Sequence, residues 1–390
     1  MKFCRNPLKR CAKCGLPETY ETIEFDKKDV CNICNQKVYK DNEINWNSRK
    51  ITFDKIIGEN RDKHEYDCIV PFSGGKDSTF TLYYLVKEYN LKPLVVQFNH
   101  GFMRPKVLEN NLKTFKKLGV DVLSFTPNWN IVKRVMKESL IRKGDFCWHC
   151  HTGIFAYPMQ IAVKYQTPLV IWGEPSSEYT AYFDYRDNEI ELVDETRFNR
   201  FVNLGINSDD MFGMISEDTS FDKRDLAPFS FPELRDLKKL KVRSVCLGSF
   251  IPWDVKKNVR LIEKELDWKG DEVEGMPWEE NLYNYEKIEC YLQGVRDYIK
   301  YLKRGYSRVG QMTALDVRNN RIDKALANEL IQKYEGYKPH SLDIFLRYLE
   351  ISETEFNNIV LNTVVSPHEP DIEKIELSPK TWDYESWYRE

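Results

Sequence analysis

The middle of the chain alternates between short apolar runs and longer stretches in which apolar residues recur at helical spacing. Short continuous apolar runs are typical of strands that are buried on both faces of a parallel sheet. After the first run, Leu82, Leu85 and Val86 fall on one face of a predicted helix. The predicted strands cover residues 66–72, 93–100, 120–127, 168–174 and 242–250, and the predicted helices cover residues 78–89, 107–119, 131–144 and 152–166.

This regular alternation of strands and helices predicts an α/β fold with a doubly wound parallel sheet. Right-handed crossover connections then place helices on both faces of the sheet. Ligands of such sheets bind at the carboxyl ends of the strands. The polar side chains that directly follow each predicted strand are therefore the first candidates for a functional site.

The regions on either side of the predicted sheet have a different character. Residues 1–50 hold four closely spaced cysteines and a polar linker, residues 51–253 hold the sheet, and residues 254–390 are predicted to be mostly helical. Residues 179–239 are rich in Asp, Asn, Phe and Tyr and show weak periodicity. We interpret them as an insertion into the sheet domain that shapes a substrate pocket.

The C-terminal region carries its own helix signals. Residues 321–336 predict a helix that ends at Gly336, and Ser352 begins a Ser-x-x-Glu sequence typical of a capping box. The helices could form a helix-turn-helix, but a packed helical subdomain is the favoured interpretation. The apolar stripe of the first helix is predicted to consist of Ile322, Ala325, Leu326 and Leu330.

Composition narrows the class of protein. With 390 residues, of which 42% are hydrophobic and 31% charged, the chain can bury a sizeable core and should be soluble. No apolar run approaches the roughly 18 residues of a membrane span, and the N-terminus lacks the apolar stretch of a signal peptide, so we expect a cytoplasmic protein. The net charge of −3 argues against a large nucleic-acid surface.

Four of the ten cysteines form two knuckles near the N-terminus. Two CxxC pairs at this separation suit a tetrahedral zinc site, because each knuckle brings two thiolates to one ion. A segment of about 35 residues cannot build a stable core alone, so a bound metal ion is needed to stabilise its fold. Four thiolates leave no open position for catalysis, which makes the predicted role structural. The predicted zinc ligands are Cys11, Cys14, Cys31 and Cys34.

The sequence Ser-Gly-Gly-Lys-Asp-Ser at residues 73–78 joins the first predicted strand to the first predicted helix. Two glycines let the backbone approach a ligand closely, and the free N–H groups at the start of the helix favour an anion. Lys76 adds a positive charge, and Ser73 and Ser78 add hydroxyl donors. Asp77 would hold Mg²⁺ or orient the loop. The set predicts a polyphosphate site that is not a Walker P-loop.

This loop resembles the pyrophosphate loop of the ATP pyrophosphatases, which cleave ATP between the α and β phosphates and adenylate a carbonyl-type oxygen. Two further blocks, residues 147–180 and 303–336, resemble the N-acetyl sugar amidotransferase family, whose members also begin with a CxxC…CxxC segment. Members of that family make acetamidino sugars for lipopolysaccharide O-antigen and other bacterial surface polysaccharides. The chain departs from the family's usual pattern after Trp172-Gly173-Glu174, where it reads Pro-Ser-Ser-Glu.

The resemblance implies a reaction and a set of roles. ATP adenylates the acetamido oxygen of an N-acetylated, nucleotide-linked sugar, and ammonia from a separate glutaminase, delivered through a cyclase-like partner, replaces it. Glu174 and Glu178 could hold Mg²⁺, orient ammonia or take its proton, and Lys76 and Asp77 would join them as catalytic residues. ATP would be bound by the loop and by two residues past the second strand: Ser73, Gly74, Gly75, Lys76, Asp77, Ser78, Asn99 and His100.

A second cysteine cluster has three competing interpretations. Cys147 and Cys150 lie in the sequence Cys-Trp-His-Cys-His, and Cys246, in the fifth predicted strand, could approach them. The three cysteines could hold a metal ion or an iron–sulfur cluster, His149 or His151 could face a substrate, or the segment could be a packed turn with inert thiols. Three cysteines of this layout also occur in some tRNA-thiolating ATP pyrophosphatases.

Two other functions compete with the amidotransferase. A tRNA sulfurtransferase with an iron–sulfur cluster is disfavoured by the acidic composition and by the C-terminal block. A nucleotide-binding scaffold without turnover is disfavoured because every element of the Ser-Gly-Gly-Lys-Asp-Ser loop is present. We therefore expect an enzyme that uses ATP, Mg²⁺ and Zn²⁺, with no nucleic-acid partner and no membrane span.

Overall fold

A computed structural model describes residues 3–175, 177, 185 and 203–384 of the chain. Glu178 and most of residues 179–202 lie outside this part. The strands are β1 Cys68–Pro71, β2 Pro93–Phe98, β3 Asp121–Phe125, β4 Leu169–Trp172 and β5 Arg243–Cys246. The helices are α1 Asn32–Asn42, α2 Trp46–Asn60, α3 Lys76–Lys87, α4 Pro105–Leu118, α5 Trp129–Lys143, α6 Trp148–Lys164, α7 Ser208–Ile215, α8 Leu234–Leu240, α9 Val255–Leu266, α10 Gln293–Arg304, α11 Arg308–Arg318, α12 Lys324–Tyr334, α13 Ser341–Leu349 and α14 Glu353–Leu361.

The five strands form one parallel sheet in the order β3-β2-β1-β4-β5. β1 is the central strand, and the chain order reverses on its two sides, so the carboxyl end of β1 lies where such sheets bind ligands. β1, β2 and β4 are buried along their whole length, as their continuous apolar runs predict. The predicted doubly wound α/β fold is confirmed.

Alternate residues of the central strand face two different layers of helices. Cys68 and Val70 pack in a cluster with residues of α3 and α9, whereas Ile69 packs in a cluster with residues of α6. This alternation follows from the pleat of a strand, whose successive side chains point to opposite faces. The chain segments between the strands therefore cover both faces of the sheet.

Helix α6 approaches the sheet closely because it presents a glycine to β2. A Cβ built on Gly153 would lie 2.2 Å from the ring of Phe98. That ring cannot easily move away, since it is buried against Phe125, Tyr157 and Phe229. The helix begins at Trp148, four residues earlier than predicted, so the second cysteine cluster lies in its first turn.

Two regions differ from the sequence-based expectations. The predicted linker at residues 37–50 lies mostly in α1 and α2, which begin at the caps Cys31 and Asn45. Helix α12 does not bury its predicted stripe, because Ala325 and Leu326 are exposed. The residues that α12 buries are Ala327, Leu330 and Tyr334.

The C-terminal helices and the described part of the insertion pack onto the sheet domain. Ser352 accepts a hydrogen bond from the backbone N–H of Glu355 and caps α14, as predicted. Within the insertion, residues 203–239 include α7 and α8, and Gln160 of α6 donates to the backbone oxygens of Ala227 and Ser230. No helix in the described ranges is long and apolar enough to cross a membrane.

We predict that Gly153→Ala lowers the free energy of unfolding by about 2 kcal/mol, because the added methyl group overpacks the contact between α6 and Phe98. Urea denaturation measures the change. Gly58→Ala is the matched control, because Gly58 lies on the exposed face of α2 with nothing within 4 Å of its Cβ position. The control should be neutral or gain about 0.5–1 kcal/mol. Equal stabilities of the two variants would contradict the packing argument.

Candidate active site and metal centre

The Ser-Gly-Gly-Lys-Asp-Ser loop lies at the carboxyl end of β1 and runs directly into α3. Gly75 is the N-cap of α3 and provides no side-chain hydrogen bond to the helix. The first N–H groups of α3 are therefore available to an anion. Ser78 stabilises the bend from inside, because its hydroxyl accepts from the backbone N–H groups of Ser73 at 3.3 Å and Gly74 at 3.2 Å.

The two glycines of the loop meet different neighbours. Gly74 has a φ of +88°, and a Cβ there would lie 2.3 Å from Oδ1 of Asn111 in α4. A Cβ on Gly75 would lie 1.8 Å from Oε1 of Glu289, which belongs to the C-terminal region. Gly74 thus allows the loop to pack on α4, whereas Gly75 lets an oxyanion approach the backbone of the bend.

Lys76 is buried and forms ion pairs with two carboxylates. Its Nζ lies 2.7 Å from Oδ2 of Asp77 and 2.7 Å from Oε2 of Glu286. Glu286 is only 1% exposed and also lies 3.5 Å from Nη1 of Arg308. Burial alone would raise the pKa of Glu286, but the charges of Lys76 and Arg308 outweigh it and lower the pKa to about 2. Glu286 therefore carries a full negative charge that holds the lysine in place.

Glu174 follows β4 and lies close to the loop. Its burial, together with the nearby charge of Asp77, raises the pKa of Glu174 well above its ordinary value. A strongly perturbed carboxyl group at the carboxyl edge of a sheet is a candidate functional residue. Glu174 lines a pocket with Trp253 and Arg321, so the sheet and the C-terminal region both contribute to its surroundings.

Asn99 and His100 follow β2 and are turned towards the protein's own backbone. Oδ1 of Asn99 accepts from the N–H of Gly101 at 2.9 Å, and Nδ1 of His100 accepts from the N–H of Phe102 at 3.2 Å. Burial and the neighbouring His149 lower the pKa of His100 to about 3. His100 is therefore neutral at pH 7 and supplies no positive charge to a phosphate. Their predicted roles in ATP binding stay predictions.

The four N-terminal cysteines converge on one point, as their spacing predicts. The Sγ atoms of Cys11 and Cys34 are 3.9 Å apart, and those of Cys14 and Cys31 are 3.7 Å apart. Thiolates bound tetrahedrally at about 2.3 Å from a zinc ion lie about 3.8 Å apart. All four ligand atoms lie within 4.8 Å of one another and are buried. The residues therefore fit a structural zinc ion.

The second cysteine cluster has a different third member from the one predicted. Cys290 packs against the apolar cluster that contains Cys147. Cys246 instead packs in the apolar cluster between β4, β5 and α6. Burial raises the pKa of Cys150 and of Cys290 to about 12, so these two thiols are protonated at neutral pH.

His149 is buried, His151 is partly exposed, and both are neutral at pH 7. Burial lowers the pKa of His149 to about 4, and burial together with Arg296 lowers that of His151 to about 3. Across the described residues, the N-terminal cysteines form the one group of three or more ligand atoms that lie close enough for a single ion. A single metal ion at the second cluster is therefore not supported by the structure.

The residues that sequence reasoning missed come from the C-terminal region. Glu286 and Glu289 lie in the irregular stretch at residues 267–292, where no periodicity predicts a helix or strand. The available signal was the density of charged side chains among tyrosines in "YNYEKIEC". Arg308 lies inside the family block at residues 303–336, and that block could have indicated its contribution to the site.

We predict that Glu286→Gln lowers the free energy of unfolding by about 3 kcal/mol, because Lys76 and Arg308 lose the buried charge that neutralises them. Glu280→Gln is the control, because Glu280 pairs with Lys333 near the surface and should contribute about 1 kcal/mol or less. Urea denaturation measures the free energy of unfolding of both variants. A loss as small as that of the control would show that the buried pairs do not stabilise the loop.

We predict about one zinc ion per chain and its loss in Cys31→Ser, because a neutral hydroxyl replaces one of four thiolate ligands. Elemental analysis of the purified protein measures the content. Cys4→Ser is the control, since Cys4 lies outside the cluster and contacts Asn6 and His368. Retention of zinc in the Cys31 variant, or its loss in the Cys4 variant, would contradict the ligand assignment.

Comparison with known structures gives distant likenesses. The U34-tRNA thiolase NcsA from Methanococcus maripaludis with its [4Fe-4S] cluster has a TM-score of 0.31 and 15% identity, covering 83% of this chain and 89% of that chain. The NMN synthetase from Francisella tularensis has a TM-score of 0.32 and 11% identity, covering 72% of this chain and 94% of that chain. Neither likeness is close enough to carry over a function.

Sequence comparison finds two further similarities. The uncharacterized protein MJ1599 of Methanocaldococcus jannaschii is 26% identical over 144 residues, which are 36% of this chain and 50% of that protein. The chain therefore spans about half the length of this curated relative. Residues 279–384 match the family model "LPS biosynthesis protein WbpG-like, C-terminal domain", and this similarity confirms the family resemblance that the sequence motifs predict.

Proposed function

We propose that this protein is an ATP-dependent, AMP-forming amidotransferase that converts the acetamido group of an N-acetylated sugar into an acetamidino group. The observation that carries the proposal is the Ser-Gly-Gly-Lys-Asp-Ser loop at the carboxyl end of the central strand, with its open helix start and buried lysine. The WbpG-like match supports a sugar of surface polysaccharides as the acceptor class.

The loop supplies binding and charge neutralisation. The N–H groups of the bend and Lys76 bind the β and γ phosphates of ATP, and Ser73 and Ser78 add hydroxyl groups. Oδ1 of Asp77 is buried and accepts no hydrogen bond from the described residues. Asp77 would hold Mg²⁺, which neutralises phosphate charge when bound.

The chemistry needs two displacements. The acetamido oxygen attacks the α phosphorus of ATP, the bond to the β phosphate breaks, and pyrophosphate leaves. Ammonia then attacks the carbon of the adenylated acetamido group. The C–O bond breaks, AMP leaves with the oxygen, and the nitrogen loses a proton. We propose Glu174 as the residue that takes that proton, because it follows β4 at the carboxyl edge of the sheet and lies close to Asp77. Glu178 keeps its predicted role in holding Mg²⁺ or orienting ammonia.

Ammonia is proposed to come from a separate glutaminase through a cyclase-like partner. This division of labour follows from the family resemblance. The reaction consumes nucleotide-linked sugars and ATP, which are cytoplasmic compounds, and we propose the cytoplasm as its location. Product sugars would then enter O-antigen or related surface glycans.

One observation favours the alternative of a tRNA sulfurtransferase. Cys147 and Cys290 share an apolar cluster, and the positive charge of Arg296 acts on the thiols of Cys147 and Cys150. Three thiolates can hold an iron–sulfur cluster, which is wider than a single ion. Iron and labile sulfide in protein purified without oxygen, together with sulfur transfer to tRNA, would favour this alternative.

We predict that ATP, an N-acetylated nucleotide sugar and ammonium yield AMP, pyrophosphate and a sugar about one dalton lighter, because NH replaces oxygen. Mass spectrometry measures the mass of the sugar product, and chromatography measures AMP and pyrophosphate. Lys76→Gln should slow AMP formation about a hundredfold, because it removes the charge that stabilises the phosphates.

Lys106→Gln is the matched control, because Lys106 is partly exposed on α4 and forms an ion pair with Glu109. This variant should retain the activity of the unchanged protein. Formation of ADP and phosphate, or full activity in the Lys76 variant, would refute the adenylation mechanism.

A further inference from the structure

Helix α11 lies between the metal centre and the nucleotide loop. It begins at Arg308 and ends at Arg318, and every residue except Val317 is buried. Eleven residues of α-helix span about 16 Å. A helix that is buried on nearly all sides is a rigid core element, so its two ends keep a constant separation.

The C-terminal end of α11 contacts the metal module. Ala314 packs in the same apolar cluster as the four zinc ligands. Arg318 is 4% exposed, and its Nη1 has no hydrogen-bond partner among the described residues. A zinc ion with four thiolates carries two negative charges, and Arg318 neutralises part of them.

The N-terminal end of α11 is linked to the nucleotide loop through Glu286. Nη1 of Arg308 donates to Oε1 of Gln311 at 3.0 Å and lies 3.5 Å from Oε1 of Glu286. Glu286 in turn pairs with Lys76 at 2.7 Å. The position of Arg308 therefore sets the position of the carboxylate that holds the phosphate-binding lysine.

Gln311 joins the two ends. Its Oε1 accepts from Arg308, and its Nε2 donates to the hydroxyl of Tyr20 at 2.9 Å. Tyr20 is 3% exposed and lies between the two CxxC knuckles. An unbroken series of buried polar contacts thus runs from the metal module to the loop, in the order Tyr20, Gln311, Arg308, Glu286 and Lys76.

We propose that Tyr20 and Gln311 are positioning residues of the nucleotide site, through which the zinc-bound module holds Lys76 in its phosphate-binding position. This inference rests on the proposed function only in taking the loop as an ATP site. It gives the metal centre a role in nucleotide binding, although the cysteines are distant from the reacting atoms.

The physical reason is the cost of leaving a buried polar group without its partner. Loss of the Tyr20 hydroxyl leaves Nε2 of Gln311 without an acceptor in a buried site. The Gln311 side chain then changes its conformation, and Arg308 loses the hydrogen-bond acceptor that orients its guanidinium group. The effect reaches Lys76 through Glu286, which has two cationic partners to satisfy.

The test measures binding of ATP, and separately of inorganic pyrophosphate, by calorimetry without acceptor sugar. Tyr20→Phe and Gln311→Leu should weaken binding about three- to tenfold at full zinc content, the range typical of coupling through a buried network. Because both substitutions interrupt the same series, the double variant should bind no more weakly than Gln311→Leu alone.

Tyr306→Phe is the matched control. Tyr306 lies in the same apolar cluster, contacts Tyr20 with tilted rings at a centroid distance of 4.9 Å, and loses the same hydroxyl. Its hydroxyl contacts Glu21 rather than Gln311, so this variant should bind ATP like the unchanged protein. Removal of zinc by a chelator should weaken ATP binding at least as much as Tyr20→Phe does.

The outcomes separate this inference from the proposed function. If the unchanged protein binds neither ATP nor pyrophosphate, the proposed function fails. If it binds ATP, and the zinc-loaded Tyr20 and Gln311 variants bind equally well, the positioning role is refuted while the function stands. Equal losses in Tyr20→Phe and Tyr306→Phe would also refute it, because a general loosening of the module would then explain both. If removal of zinc unfolds the protein, the test rests on ATP binding by the zinc-loaded Tyr20 and Gln311 variants.

Discussion

The buried ion pair between Lys76 and Glu286 ties the two halves of this protein together. A lysine that is 4% exposed is stable in its charged form only beside carboxylates, and one of them comes from a segment more than two hundred residues further along the chain. Glu286 in turn requires Arg308 to balance its two oxygens. The loop and the C-terminal region therefore depend on each other, because each supplies a charge that the other needs in order to be buried.

The same segment explains why two adjacent glycines are present in the loop. Gly74 packs against α4, and Gly75 faces the carboxylate of Glu289. A carboxylate next to the start of a helix occupies the kind of position that favours a phosphate, because both are oxyanions attracted by free N–H groups. One glycine therefore serves packing against α4, while the other allows the close approach of a carboxylate.

The metal module depends on the rest of the protein as much as on its ion. Its cysteines pack with Tyr306 and Ala314 of the C-terminal region, and Lys324 donates to the backbone oxygen of Ala12 at 2.9 Å. A short segment with so small a core needs both the ion and this docking surface. The sheet domain, the C-terminal helices and the cysteine module thus meet around α11.

The sequence by itself determined the parallel sheet, the loop at the end of β1 and the clustering of four cysteines, because strand periodicity, glycine chemistry and CxxC spacing are local properties. It could not determine Glu286, Arg308 or the place of Cys290, since their roles arise from contacts between segments far apart in the chain. The apolar stripe of α12 was misplaced for the same reason, because its neighbours, rather than its own pattern, decide which face is buried. Only tertiary structure sets which charges share a buried site.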